Sequence, residues 1–236
     1  MYVLRMNSPM TAPSSPAAAS ADLIPARAFR ARASHPAFRA FAAPTGWLGR
    51  LAGWIMTRKN LPLNRLAVQT MEARAGEHVL EIGFGPGCAL ALLSAAVGPD
   101  GLVAGVDRSP EMLAAATRRN RPAVHGGRMR LTTGTADQLA WPEASFDRVL
   151  SVSNVQFWQP ATRSLAEILR VLKPRGRLVI AVHTLREGQR RLTPGLFADE
   201  LVAVKRWIER NGFVLTGEVV LDQGITGLCL VAQRPA

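Results

Sequence analysis

From His78 onward the sequence alternates between short, continuous apolar runs and longer runs in which apolar residues recur every three or four positions. The short runs are typical of strands buried on both faces, and the longer ones of helices that cover a sheet. The predicted strands are 78–82, 102–106, 128–132, 147–152, 177–183, 213–221 and 225–233. The predicted helices between them are 86–97, 110–119, 161–172 and 197–211. The pattern predicts an α/β fold with a doubly wound, mostly parallel sheet of seven strands.

The last two predicted strands are separated only by Asp222-Gln223-Gly224. A connection this short joins antiparallel neighbours, because a parallel pair needs a long crossover. We therefore expect the sheet to end in an antiparallel carboxyl-terminal strand.

The amino-terminal part of the chain has a different pattern. Residues 1–44 are rich in Ala, Pro, Ser and Arg. Their prolines interrupt any helix longer than about two turns, so we expect a disordered or loosely ordered extension. Apolar residues then recur at helical spacing over 47–56, and a second helix is predicted over 63–73. The chain accordingly divides into an extension, a helical cap or lid, and a main domain, at 1–44, 45–74 and 75–236.

Composition fits one globular domain. The chain has 236 residues, of which 48% are hydrophobic and 19% charged, enough to bury a sizeable core. Cys88 and Cys229 alone cannot build a disulfide scaffold or a cysteine-ligated zinc site, which favours a reducing, cytoplasmic compartment. No apolar run approaches the roughly 20 residues of a membrane-spanning helix.

The net charge of +12 is unevenly distributed. Residues 1–71 carry nine Lys or Arg and one acid, whereas the rest of the chain is only mildly basic. Such a basic segment is compatible with a nucleic-acid partner, but a solvated basic tail has the same composition.

The strongest chemical signal is the segment His78-Val-Leu-Glu-Ile-Gly-Phe-Gly-Pro-Gly-Cys88. Gly83, Gly85 and Gly87 stand between a buried strand and a helix, where glycine allows a tight turn and a close approach to a ligand. A nicotinamide or flavin fingerprint has its third glycine where this chain has Cys88, so the spacing favours another nucleotide cofactor. An ordinary strand-to-helix turn is the alternative.

Together with this turn, four later segments resemble the class I S-adenosylmethionine (SAM) dependent methyltransferases. The segments are Gly105-Val-Asp-Arg-Ser-Pro-Glu-Met112, Gly134-Thr-Ala-Asp137, Phe146-Asp-Arg-Val-Leu-Ser-Val-Ser-Asn154 and Leu169-Arg-Val-Leu-Lys-Pro-Arg-Gly176. The resemblance implies a Rossmann-like sheet, SAM as the cofactor and S-adenosylhomocysteine (SAH) as the product.

The resemblance also implies roles for individual residues. Asp107 would accept hydrogen bonds from the ribose hydroxyls, a task that suits an acceptor-only carboxylate. Ala136 and Asp137 lie in the loop that meets the adenine, although Asp137 could be only a surface acid. Arg108 and Met112 would flank the adenine ring, while a place in the helix core is equally open for Met112.

Two further residues complete the expected cofactor site. Glu81, at the end of the first strand of the main domain, would face the cofactor's ammonium group or brace the glycine loop, and either role would keep it ionised. Ser153, at the end of a later strand, would also contact the cofactor. The sequence shows no cluster of metal ligands.

An acceptor would bind beyond the carboxyl ends of the strands. We expect Asn154 and His183 to be the catalytic residues there, with His183 as a general base for a hydroxyl or ammonium acceptor. A structural role is the alternative for such a lone histidine. The remaining acceptor contacts are expected from the next turn and the lid, at Gln156, Phe157, Trp158, Trp47 and Trp54.

These features predict an enzyme that transfers a methyl group from SAM to a small-molecule acceptor, in secondary or quinone-type metabolism, mainly by positioning. Two alternatives remain. Glycine motifs recognise the nucleoside and not the reacting bond, so a non-methylating reaction of SAM that releases methylthioadenosine is possible. The other is an RNA methyltransferase that uses the basic amino-terminal segment. The oligomeric state is open.

Overall fold

The structure is a computed structural model that describes residues 3–5, 60–158, 160–186, 195–222 and 226–236. The helix predicted over 47–56, with Trp47 and Trp54, lies outside the described residues. Among those that are described, no helix is both long enough and apolar enough to cross a membrane.

The described elements alternate between strands and helices from β2 onward. The strands are β1 (Val3–Arg5), β2 (His78–Ile82), β3 (Leu102–Asp107), β4 (Met129–Thr133), β5 (Phe146–Val152), β6 (Leu172–His183), β7 (Val214–Asp222) and β8 (Thr226–Gln233). The helices are α1 (60–71), α2 (Cys88–Val97), α3 (Pro110–Arg119), α4 (Arg121–His125), α5 (Ala161–Val171) and α6 (Ala198–Arg210). A short 3-10 turn at Val155–Phe157 follows β5.

All strands belong to one sheet, in the order β1-β7-β8-β6-β5-β2-β3-β4. Strands β2 to β6 are parallel, and β8 is antiparallel to both β6 and β7. The α/β fold with a mostly parallel, Rossmann-like sheet and an antiparallel carboxyl-terminal strand is confirmed. Because β2 lies at the centre, its carboxyl end adjoins those of β3 and β5.

The eighth strand, β1, was not predicted. It pairs antiparallel with residues 218–220 of β7, inside the extension for which the sequence predicted no strand. The outer edge of β7 offers unpaired backbone groups, and Val-Leu-Arg satisfies them. Three residues are too few for a period-2 pattern to be recognised.

Both faces of the sheet are covered, which explains the continuous apolar strands. On one face the buried side chains of α1, α2 and α3 pack on the sheet, among them Leu63, Leu66, Leu90 and Leu93. On the other face the buried side chains of α5 and α6 do so, including Leu165, Ile168, Val204, Trp207 and Ile208.

Helix α1 lies along β5 and β6, with its amino end at the carboxyl end of β6 and its carboxyl end near the beginning of β5. Near its carboxyl end, Arg148 of β5 donates to Met71 O at 2.6 Å and forms a bidentate ion pair with Glu77. At its amino end, Asn60 contacts His183, at the carboxyl end of β6. The sequence predicted this helix over 63–73 as part of a cap or lid, and the structure places it as a packed layer on the sheet.

Candidate cofactor and acceptor site

Three glycines between β2 and α2 adopt left-handed conformations, with φ of 72° at Gly83, 51° at Gly85 and 78° at Gly87. Residues with a Cβ rarely adopt such angles. A Cβ at Gly83 would lie 1.2 Å from Asn154 Nδ2, and one at Gly87 would lie 2.7 Å from Asn120 Nδ2. This glycine loop, residues 83–87, therefore depends on glycine for its conformation and for the close approach of two asparagines.

Asp107, at the end of β3, is bonded to the glycine loop. Its Oδ2 accepts the Gly85 N–H at 2.8 Å, and its Oδ1 accepts the Ser109 N–H at 2.9 Å. Burial raises the pKa of Asp107 from its ordinary value of 3.8, while these two N–H groups act in the opposite direction. Each oxygen keeps a lone pair, so the carboxylate can accept two more hydrogen bonds.

Glu81 is a buried acid with an unused oxygen. Its side chain is 2% exposed, and its Oε2 has no hydrogen-bond partner. Burial, followed by the nearby charge of Asp107, raises the pKa of Glu81 well above its ordinary value of 4.5. Burial thus acts against the ionised state expected from the sequence, whereas a cation beside Oε2 would favour it.

Asn154 lies over Gly83 in an orientation set by Trp158. Asn154 Oδ1 accepts the indole N–H of Trp158 at 3.1 Å. Because an indole N–H only donates, the amide oxygen must face it, and the amide nitrogen faces Gly83. Trp158 is itself 3% exposed and packs against Trp207, with 6.1 Å between ring centroids.

The other predicted acceptor contacts surround Asn154. Gln156 is buried, and its Nε2 donates to Ser153 O at 2.7 Å. Phe157 is half-buried, and its N–H donates to Asn154 O at 2.8 Å. The polar groups of Gln156 and Trp158 hold the turn after β5, and their contact with an acceptor stays a prediction.

Ser153 combines two unusual features at the end of β5. It is a residue with a Cβ at a φ of 51°, and its buried Oγ has no hydrogen-bond partner. Strained backbone and an unpaired buried hydroxyl both cost stability and occur together at ligand sites.

His183 is held at the carboxyl end of β6. Its Nε2 lies 2.9 Å from Asn60 Oδ1, so Nε2 carries the proton when that oxygen accepts. Burial lowers the pKa of His183 from 6.5, partly offset by the backbone of Thr226. The neutral form suits a base, but Nε2 already has a partner, so proton transfer there requires that the Asn60 contact be exchanged.

Comparison with known proteins identifies the family. A family model described as a methyltransferase domain matches residues 80–180. The uncharacterized methyltransferase YdaC of Bacillus subtilis is 34% identical over 133 residues, which cover 56% of this chain and 70% of that protein. The chain belongs to the class I SAM-dependent methyltransferases.

Two further proteins resemble this methyltransferase over different lengths. The demethylmenaquinone methyltransferase of Symbiobacterium thermophilum is 38% identical over 106 residues, 45% of this chain and 42% of that one, so the chain spans less than half of that relative. The crystal structure of a SAM dependent methyltransferase from Aquifex aeolicus superposes with a TM-score of 0.63 at 21% identity, covering 74% of this chain and 92% of that one. The latter shows the shared fold.

The cofactor of the family is SAM, and the residues of this methyltransferase fit it. The unpaired Oε2 of Glu81 can accept from an ammonium group, and Asp107 retains acceptor capacity for a ribose. At Gly85 a Cβ would meet no atom within 4 Å, so the glycine loop is open to a ligand at that position. Among the described residues no group of three His, Cys, Asp or Glu could hold a metal ion.

The predicted adenine contacts differ in exposure. Arg108 is exposed and Asp137 is half-buried, so both are accessible to a ligand. Met112 and Ala136 are 3% and 5% exposed and belong to the two apolar cores. Met112 thus packs in the core, and its contact with the adenine ring stays a prediction.

Sequence reasoning missed Arg119 and Asn120, which bond to the carbonyls of Pro86 and Gly87. Arg119 is the last residue of the predicted helix 110–119, and Asn120 follows it, where an Asn is typical of a helix terminus. That local signal explains an Asn at position 120 but does not show which distant loop it meets.

Proposed function

We propose that this methyltransferase acts on a small-molecule acceptor that carries an oxygen at or beside its nucleophilic atom, mainly by positioning it. The observation that carries the proposal is the Asn154 amide, which Trp158 turns so that its nitrogen lies over Gly83. Within the described residues this nitrogen makes no hydrogen bond, so it can donate to an oxygen of a bound acceptor.

The fixed amide donor of Asn154 favours methyl transfer to an oxygen or carbon nucleophile. When bound, SAM supplies an electrophilic methyl group, whose bond to sulfur breaks as the acceptor's electron pair forms the new bond. Oxygen and carbon nucleophiles react best as the phenolate or enolate, in which negative charge rests on oxygen. An amide N–H aimed at that oxygen lowers the pKa of the acceptor and so favours its ionised, nucleophilic form.

The proposal assigns the cofactor and the acceptor to neighbouring strand ends. Glu81, the glycine loop and Asp107 hold SAM at β2 and β3, and Ser153 contributes its unpaired hydroxyl. Asn154 and His183 flank the acceptor at β5 and β6. Because β6 is two strands from β2, His183 lies about 10 Å along the sheet from the glycine loop, a span that leaves room for an acceptor between them.

Two observations support the substrate class and the location. One relative is named demethylmenaquinone methyltransferase, which favours a quinone-type acceptor. Cys88 and Cys229 are buried and free, which supports a reducing, cytoplasmic compartment. The basic segment that suggested RNA lies mostly outside the described residues, and no described contact favours RNA or a non-methylating reaction.

The test is an incubation with SAM and a panel of hydroquinones, phenols and 1,3-dicarbonyl compounds, with total RNA as a separate arm. We expect SAH and a small product heavier by one methylene group. Asn154→Asp keeps the shape but loses the donor, and should lower turnover about 10- to 100-fold while the Kd for SAH changes less than about threefold.

The other outcomes are distinguishable. Methylation of RNA alone would support the RNA alternative, and methylthioadenosine in place of SAH would show a non-methylating reaction. Unchanged turnover in Asn154→Asp would remove the donor from the mechanism while leaving methyl transfer intact.

A further inference from the structure

The end of α3 lies against the glycine loop, and two consecutive residues there bond to it. Arg119 Nε donates to Pro86 O at 2.9 Å, and Asn120 Nδ2 donates to Gly87 O at 3.1 Å. The same amide nitrogen donates to Ala116 O at 2.9 Å, in the last turn of α3. One short segment, 33 residues further along the chain, thus holds two successive carbonyls of the loop.

Asn120 packs closely against the glycine loop. A Cβ at Gly87 would lie 2.7 Å from Asn120 Nδ2 and 2.8 Å from the Cβ of Ala116. Asn120 is 5% exposed, so its hydrogen bonds are protected from competing water. Only glycine at position 87 allows α3 to approach so closely.

Asp107 connects the beginning of α3 to the glycine loop as well. Asp107 accepts the N–H of Ser109, the residue that caps α3, and also the N–H of Gly85. The loop is therefore held at Gly85 from the start of α3 and at Pro86 and Gly87 from its end.

The orientation of one peptide group follows from the Asn120 contact. In a planar trans peptide the C=O and N–H point in opposite directions, so holding Gly87 O toward Asn120 turns the Cys88 N–H away from α3. Gly87 caps α2 without a side-chain hydrogen bond, so the first N–H groups of α2 remain available to a ligand.

We propose that Asn120, assisted by Arg119, is a positioning residue that fixes the glycine loop in the form that binds SAM. It acts through the loop and does not touch the cofactor. The proposal rests on the placement of SAM at this loop. Because these hydrogen bonds are made within the protein and require no ligand atom, they lower the ordering cost of binding and hence the Kd.

The test measures the Kd of SAH and of SAM by calorimetry, and thermal unfolding, on the full chain. Asn120→Ala removes the amide, and Asn120→Asp keeps its shape but loses both donors. Each should raise both Kd values about 5- to 30-fold, which is the effect of losing a buried hydrogen bond. Exchange of the amide hydrogens of residues 83–88 should be faster in both variants than in the wild type.

Asn211→Ala is the matched control. Asn211 Nδ2 donates to Trp207 O at 2.8 Å at the end of α6, the same helix-terminal bond that Asn120 makes in α3. No hydrogen bond of Asn211 reaches the glycine loop. This variant should lose a similar amount of thermal stability, yet keep the Kd of SAH within about twofold of the wild type.

Arg119→Ala keeps the proposal testable if the Asn120 variants fail to fold, because Arg119 is exposed. Arg119→Ala should raise the Kd of SAH about two- to fivefold. Arg118→Ala, which removes the exposed neighbouring arginine, should leave that Kd unchanged. Unchanged Kd values in all foldable Asn120 and Arg119 variants overturn this proposal alone. If the wild type binds neither SAM nor SAH, the cofactor site and this proposal are both overturned.

Discussion

The carboxylate of Asp107 accepts the backbone N–H of Gly85 at 2.8 Å, which joins the end of β3 to the loop after β2. A single acid thus orients the turn and keeps a free lone pair on each oxygen for a ligand. The residue expected to recognise the ribose also holds the loop on which the rest of the cofactor would lie.

The first prediction concerns this double role. Asp107→Asn keeps one acceptor oxygen but loses the charge and one of two backbone contacts. We expect the Kd of SAH to rise about 10- to 100-fold, as for a hydrogen bond to a charged group. Calorimetric titration measures it, with the exposed Asp100→Asn as the control. Equal affinities for both variants and the wild type would refute the ribose role.

The second prediction is that cofactor binding releases protons through Glu81. Its raised pKa favours the protonated carboxyl in the free protein, and an ammonium group beside Oε2 favours the ionised form. Titrations of SAH in buffers of different ionisation enthalpy should therefore show proton release. Glu81→Gln should release fewer protons, whereas Glu209→Gln, on the exposed face of α6, should match the wild type.

Glu81 has a corresponding effect on stability. A carboxyl whose pKa is raised in the folded state contributes stability that is complete below the unfolded value of 4.5 and is lost as the pH rises through the folded pKa. In Glu81→Gln the free energy of unfolding, measured with denaturant, should decrease less as the pH rises. The decrease that remains comes from Asp107, whose pKa is also raised. The same pH dependence in variant and wild type would contradict the assignment.

The third prediction compares two strained residues. Ser153 and Ala144 have φ angles of 51° and 52°, in a region that glycine tolerates better. Substitution by glycine should raise the free energy of unfolding by up to about 1 kcal/mol in each case. Only Ser153→Gly should also weaken SAH binding, because its buried hydroxyl lies at the site. Equal SAH affinity in both variants would make that hydroxyl irrelevant to the cofactor.

The fourth prediction concerns His183. Its lowered pKa contributes stability that is present above the unfolded value of 6.5 and lost as the pH falls through the folded pKa. Denaturant unfolding between about pH 5 and pH 8 should show a smaller loss on acidification in His183→Gln than in the wild type. His125→Gln, an exposed histidine at the end of α4, is the control. If His183 is also the base, turnover falls on acidification with an apparent pKa below 6.5.

The arrangement of the residues proposed to hold the cofactor could be predicted because its signals are local. Gly83, Gly85 and Gly87 stand in one short segment, where their spacing reports backbone conformation directly. Asp107 comes directly after an apolar run, and the end of that run marks the end of the predicted strand. Strand ends in a parallel sheet meet at one edge, so local patterns sufficed to bring these residues together.

The acceptor half depends on contacts that no local pattern encodes. The sequence did not show that the Trp158 ring packs on Trp207 of α6 or that its N–H donates to Asn154. The partner of His183 is Asn60, 123 residues away. The raised pKa of Glu81 results first from its burial and then from the charge of Asp107, and its position in a strand does not reveal the second contact.

The three residues of β1 have a practical consequence for shortened versions of the chain. They cover the outer edge of β7, a strand on which Val214 and Val220 are 54% and 36% exposed. A protein that starts at Met6 or Met10 lacks this cover and presents bare backbone groups beside apolar side chains. Such an edge pairs with the edge of another molecule, so shortened forms should self-associate at concentrations at which the full chain does not.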